Sequence, residues 1–175
     1  MLADEGKLTL EDRVIDHLPW FRMADPYVTR EMRVRDLLVH RSGLGLGAGD
    51  LLYWPTTTYS NREVAERLRD VPLTGGFRER YAYDNILYGI AQLVVEQASG
   101  QSYEHFLRTR IFQPLGMHDT GFEVPVAQRG RIMALTTRDA DGRRVLADTP
   151  TAREPGIRLR AYDSGAGGLY STAAD

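Results

Sequence analysis

The sequence has no cysteine, a single lysine and no apolar run approaching the ~20 residues that a membrane-crossing helix requires. The first absence excludes disulfides and thiolate chemistry, and is compatible with either a reducing or an oxidising compartment. Lys7 is the only lysine among 22 basic residues. Arginine stays protonated, so any mechanism that needs a neutral lysine must use Lys7 or a group outside these residues. The opening Met1-Leu2-Ala3-Asp4-Glu5 is acidic and has neither a basic leader nor an apolar core, so it does not read as a signal peptide. A net charge of -2 and a pI of about 6.1 give no electrostatic reason to expect a nucleic-acid partner. There is no internal repeat and no low-complexity tract. His17, His40, His105 and His118 are scattered without ligand spacing, so no metal site is expected. The glycine-rich run 43–49 resembles a phosphate loop only in composition: it follows a helical pattern rather than a strand and lacks the Gly-Lys-Ser/Thr ending. No cofactor is expected, and the run reads as a flexible loop bordering a cleft.

What is present suits one domain or a large part of one, since 175 residues at 42% apolar content can bury a real core. Residues 1–5 read as the last turn of a helix closed by Gly6, with the body of that helix lying upstream, because a single turn cannot nucleate alone. Val14, Ile15 and Leu18 give a short apolar face ended by Pro19, and Trp20 and Phe21 pin the connection to the core. Val34, Leu37 and Leu38 recur at helical spacing, and Gly43 ends that segment as its left-handed residue. Ser60-Asn61-Arg62-Glu63 is a capping box for a helix whose stripe is Val64, Leu68 and Val71. Residues 86–98 are apolar on nearly all sides and closed by Ser99-Gly100, which places that helix in the middle of the domain. Ser102 caps the next helix, which Pro114-Leu115-Gly116 breaks. The period then changes: 132–137 and 143–147 are strand candidates around the hairpin turn Asp139-Ala140-Asp141-Gly142. Residues 149–160 read as a connection, and Thr172-x-x-Asp175 as the start of a helix continuing beyond the chain.

The stretch with chemical promise is Tyr81-Ala82-Tyr83-Asp84-Asn85, which feeds directly into the central helix. A phenol and a carboxamide two residues apart can both point at one reacting group. Tyr83 can hold or move a proton, although a phenol with a reference pKa of ~10 needs a nearby cation to act as a base at neutral pH. Asn85 offers an NH2 donor and a carbonyl acceptor that can orient an amide or ester carbonyl. The structural alternative is that Tyr83 packs its ring on the helix and Asn85 caps it. His40 beside Ser42 does not read as a base and nucleophile, because residues i and i+2 on a helix face apart. No Gly-x-Ser-x-Gly elbow surrounds Ser164.

Five landmarks follow one another along nearly the whole chain: residues 5–12 (Glu-Gly-Lys-Leu-Thr-Leu-Glu-Asp), 35–44 (Arg-Asp-Leu-Leu-Val-His-Arg-Ser-Gly-Leu), Tyr83-Asp84-Asn85, Pro114-Leu115-Gly116-Met117, and Gly167-Gly168-Leu169-Tyr170-Ser171-Thr172. In this order they resemble the serine β-lactamase-related family of class C β-lactamases, DD-peptidases and esterases on the same scaffold. The resemblance implies an α+β fold, of which this chain is the mostly helical region with a small β-hairpin, incomplete at both ends. It implies one partial domain over 1–175, helical through 125, with the hairpin and connection over 126–163 and a glycine-rich turn over 164–175. In that family a Ser-x-x-Lys nucleophile attacks an acyl carbonyl, lysine and tyrosine handle the proton, and water releases the acyl group. Tyr83 matches the catalytic tyrosine and Asn85 the substrate-binding asparagine of a Tyr-x-Asn motif; the middle position is usually serine and here is Asp84.

No serine in the chain has a lysine three residues on, and neither Lys-Thr-Gly nor His-x-Gly occurs. The family's order puts the nucleophile upstream of Met1 and the third motif beyond Asp175, so the chain alone is expected to be inert. The partner implied is a small-molecule or peptide acyl substrate, and the location implied is periplasmic or extracellular. The alternative is a non-catalytic binding or assembly module on the same scaffold. Apolar faces along 86–98, uncovered where the scaffold is incomplete, are expected to favour homo-oligomers or exchange of helices.

Overall fold

The computed structural model describes residues 1–53, 57–133, 136–147 and 165–175. The fold is α+β: short helices surround one long helix, and a two-stranded hairpin follows them in the chain. The proposed connection at 149–160 and Ser164 lie outside the described residues.

The chain enters on a helical turn whose end is fixed by Gly6 at φ 68°, with Lys7 N–H donating to Leu2 C=O and Gly6 N–H to Ala3 C=O. This nested pair is the usual way a helix C-terminus satisfies its last carbonyls. Helix α1 (Val14–His17) and helix α2 (Pro26–Glu31) follow, the second capped by the Asp25 carboxylate with Pro26 at its first position. The expected helix at 34–38 is a single 3-10 turn, Val34–Leu37, with Val34 and Leu37 buried and Leu38 facing solvent. Helix α3 (Asn61–Glu66) starts on the predicted capping box, Ser60 Oγ accepting from Glu63 N–H while Glu63 accepts from Ser60 N–H. Val64 and Leu68 are fully buried from it, and the Arg62 guanidinium lies 4.0 Å over the Trp20 ring.

Helix α4 (Ile86–Ser99) is the hub, packed against α1, α3, the 34–37 turn and helix α5 (Tyr103–Leu107). Ile86, Leu87, Ile90 and Val94 are at most 1% exposed, while Ala91, Leu93, Val95 and Ala98 of the same helix are only partly buried. Gly100, at φ 70°, ends it, and Ser102 caps α5. A wider turn carries α5 on through Phe112 before Gly116. Strands β1 (Thr136–Arg138) and β2 (Arg144–Leu146) pair antiparallel, Thr137 opposite Val145, around Gly142 at φ 77°. All six strand residues are exposed, so the hairpin adds nothing to the core. Near the end of the chain, Tyr170 bridges to Gly121, and Thr172 Oγ1 accepts from Asp175 N–H as a cap would.

One polar contact ties the segment before α4 to the rest. Asp36 is buried and takes a two-pronged grip from Arg78, Nε to Oδ1 at 2.9 Å and Nη2 to Oδ2 at 2.6 Å. Its Oδ2 also accepts from Arg33 N–H at 2.8 Å. Such parallel charge-assisted bonds fix direction as well as distance. Beside it, residues 40–43 and 74–82 exchange backbone bonds, Arg78 N–H to Arg41 C=O at 2.7 Å and Thr74 N–H to Gly43 C=O at 2.9 Å. Gly43, at φ 91°, has no room for a side chain: a Cβ there would meet Gly75 O at 2.9 Å. We expect Asp36→Ala to lower the unfolding free energy by about 2–3 kcal/mol in urea titrations. That is less than a fully buried pair, because Arg78 remains half in water. Glu11→Ala, which removes exposed pairs with Arg33 and Arg35, should change it by about 1 kcal/mol or less.

Candidate active site

The three motif residues leave the N-terminus of α4 in three different directions. Asp84 is fully buried, and its Oδ1 accepts from Ile86 N–H at 3.0 Å and Leu87 N–H at 3.4 Å. It is therefore Asp84, not Asn85, whose side chain caps the helix; Asn85 already has helical backbone angles. A short acceptor at this position suits the first-turn N–H groups, and a serine there would serve the same purpose. The carboxylate's other oxygen, Oδ2, is buried without a hydrogen-bond partner. Burial, and secondarily the charge of Asp50, push its pKa up to about 7 against the pull of the two backbone donors. The acid beside the phenol thus turns inward.

Asn85 points the other way. Its Nδ2 donates to both oxygens of Asp50, each at 3.1 Å. Asp50 opens a 3-10 turn, Asp50–Leu52, directly after the glycine-rich run. That run is docked: Gly47 N–H donates to Tyr83 C=O at 2.8 Å, and Gly49, at φ 84°, packs on the Ile86 side chain. The contact with Asp50 fixes the direction of the carboxamide and leaves its Oδ1 as an acceptor. Asp50 and Asp84 also flank Tyr53, whose phenol is pushed well above its ordinary range by burial and then by the two carboxylates.

Tyr83 is 45% exposed. Its ring lies 4.5 Å from that of His40, centroid to centroid, at 32°. Tyr88 and Tyr81 complete the cluster around the imidazole, at 5.3 Å and 5.5 Å. His40 reaches across 44 residues to accept from Asp84 N–H through Nδ1 at 3.2 Å. Its neighbour Ser42 is buried at 1% exposure and its Oγ accepts from Leu44 N–H, so it belongs to a turn and offers no accessible hydroxyl.

Tyr83 is exposed and Asn85 half-buried at the start of α4, with His40 against the first and Asp50 against the second. The signal for His40 was visible as the His-Arg-Ser-Gly turn. Asp50 had no signal beyond lying next to glycines. A cavity of about 730 Å³ sits between α3, α4 and α5 and is lined by Tyr59, Glu63, Leu93, Glu96, Tyr103 and Phe122. Neither Tyr83 nor Asn85 borders it. Among the described residues no three His, Asp or Glu side chains gather as metal ligands would, and no helix is long and apolar enough to cross a membrane.

Comparison with known proteins fits this scaffold. The sequence model of the family described as Beta-lactamase matches residues 1–175, and the chain belongs to that family. It is 34% identical over 128 residues to penicillin-binding protein 4* of Bacillus subtilis (strain 168), which covers 69% of this chain and 26% of that protein. The chain therefore spans about a quarter of the length of that curated relative. Among solved structures, the octameric penicillin-binding protein homologue from Pyrococcus abyssi superposes with a TM-score of 0.68 at 25% identity, over 99% of this chain and 38% of that one. D-amino acid amidase from Ochrobactrum anthropi SV3 superposes with a TM-score of 0.71 at 25% identity, over 98% of this chain and 46% of its own.

The capping carboxylate has a measurable consequence. An unfolded aspartate loses its proton near pH 4, and the folded Asp84 near 7. Ionisation therefore opposes folding: the penalty is absent below the unfolded value, grows as pH rises between the two, and is complete above about 7. Asp84→Asn keeps the capping oxygen and removes the charge. Between pH 4 and pH 8 the unfolding free energy of this variant should shift in its favour, relative to the parent, by up to about 4 kcal/mol. Urea melts at both pH values measure it.

Proposed function

We propose that this chain provides the proton-handling and substrate-orienting side of a serine acyl-transfer site acting on amide, lactam or ester bonds. The observation that carries the reading is the pairing at the start of α4 of an exposed phenol, Tyr83, with a carboxamide, Asn85, whose direction is fixed by Asp50. Family membership supports the reaction class. The residue roles rest on the match of Tyr83 and Asn85 to the family's Tyr-x-Asn pattern.

In this reading a serine hydroxyl adds to the acyl carbonyl while its proton passes to Tyr83 Oη, held as phenolate by a neighbouring cation. The tetrahedral adduct collapses, the leaving nitrogen or oxygen takes that proton, and an acyl-serine remains. Water then adds to the ester carbon, and its proton goes by way of Tyr83 back to the serine oxygen as the acid departs. Asn85 Oδ1 accepts an N–H, from the cation or from the substrate's amide, and so sets the carbonyl's orientation. Serine and lysine at Ser-x-x-Lys spacing are absent from the 175 residues, so we assign the attacking hydroxyl to a segment outside them. By the same family reading the whole protein works at the cell envelope.

The isolated 175-residue chain should form no covalent adduct with a penicillin or a fluorophosphonate in intact-mass measurements. Stoichiometric labelling at any of its serines would overturn the assignment. When these residues are joined to a Ser-x-x-Lys segment upstream and a Lys-Thr-Gly strand downstream, acylation should appear, and Tyr83→Phe should slow it by about 10²–10⁴-fold. Unchanged acylation in that variant would remove Tyr83 from the mechanism.

A further inference from the structure

We propose that His40 is a positioning residue for Tyr83, acting through its Nδ1 lone pair and the face of its ring. The inference rests on the reading of Tyr83 as the working phenol, but its structural content can be tested without turnover.

Three contacts bracket Tyr83 from this one residue. His40 C=O accepts from Ala82 N–H at 2.9 Å, on the residue before Tyr83. Its Nδ1 accepts from Asp84 N–H at 3.2 Å, on the residue after. Between these two bonds its ring lies against the Tyr83 ring at 4.5 Å. The backbone of His40 sits at φ 55°, one of two non-glycine positions with positive φ among the described residues. That conformation is unfavourable for any residue with a Cβ and persists only where the surroundings hold it. Here they do: the 74–82 strap donates to both His40 and Arg41 carbonyls.

The bond to Asp84 N–H also dictates the imidazole's state. A backbone donor needs a lone pair at Nδ1, so the ring is neutral and carries its proton on Nε2. A freely rotating tyrosine sweeps its oxygen over several ångströms, whereas acyl transfer tolerates a displacement of only about 0.5 Å. The tilted contact of the His40 ring with the Tyr83 ring restricts that freedom before any substrate binds. Tyr88 stacks on the imidazole, its ring 5.3 Å away and its hydroxyl donating to Leu38 C=O at 3.1 Å.

Two variants separate the two halves of the device. His40→Asn keeps an acceptor and tolerates positive φ, but removes the ring; His40→Phe keeps a ring and removes the acceptor. In NMR spectra of the 175-residue chain, the wild-type imidazole should show a proton on Nε2 and a bare Nδ1. His40→Phe should move the Asp84 amide signal, and His40→Asn should move the Tyr83 ring signals by a few tenths of a ppm while the signals of buried Leu68 and Val94 stay in place. Tyr83 ring signals that superimpose on wild type in both variants would overturn the proposal. On the polypeptide joined to a Ser-x-x-Lys segment upstream and a Lys-Thr-Gly strand downstream, both variants should lower kcat by about ten- to a hundredfold with KM moving far less. An NMR response without any loss on Tyr83→Phe would sink the functional reading and leave the positioning role standing. A Tyr83→Phe loss without an NMR response in the His40 variants would do the reverse.

Discussion

The two-pronged bond between Asp36 and Arg78 is the contact on which the site's geometry hangs. Residues 74–82 form no helix or strand of their own, so nothing in local propensity says where they should run. The guanidinium fork fixes one point of that segment against the 33–38 turn, and Arg41 secures the next through the carbonyls of Arg78 and Glu79. Once those points are set, Ala82 meets His40 and Asp84 arrives at the first turn of α4. Because Asp36 is buried, removing Arg78 would leave a desolvated charge with one backbone donor, which makes the contact directional and costly to rearrange.

Elements governed by nearest neighbours could be read from the sequence. The Ser60 capping box, the glycine stop at Gly100, the Ser102 cap and the Asp139–Gly142 turn each depend on atoms within four residues of one another, so residue type and spacing suffice. The apolar surround of α4 was equally legible, since a helix greasy on all sides can only be a hub. The site was legible as an address and not as an arrangement. Asn85 was read as a cap because asparagine often is one, but Asp84 lies one place earlier and has the better reach to Ile86 and Leu87 N–H. The bonds that decide what Asn85 and Tyr83 do span 35 and 44 residues. No window of sequence contains both ends of them.

The resemblance to a known family and the geometry contributed different things. The resemblance gave roles to a tyrosine and an asparagine. The geometry then orients them: the Asn85 NH2 is turned onto Asp50, and half-exposed Tyr83 has its ring against His40. A carboxamide turned this way offers its Oδ1 to a donor-bearing partner, such as an ammonium or an amide N–H. That narrows the reading of Asn85 given by residue type alone.

Aspartate in place of the family's usual serine looks at first like a poor neighbour for a phenol that must ionise. The placement resolves the conflict. Its carboxyl is turned into the core, where desolvation favours the protonated form, so near neutrality much of its charge is absent. What repulsion remains falls on Tyr53 and Asp50. The helix gains an acceptor for two first-turn N–H groups, and the cost is an orphaned oxygen and a pH-sensitive cap. A serine would avoid both. The substitution therefore leaves the proposed chemistry of Tyr83 intact and moves its penalty to the stability of the helix that carries it.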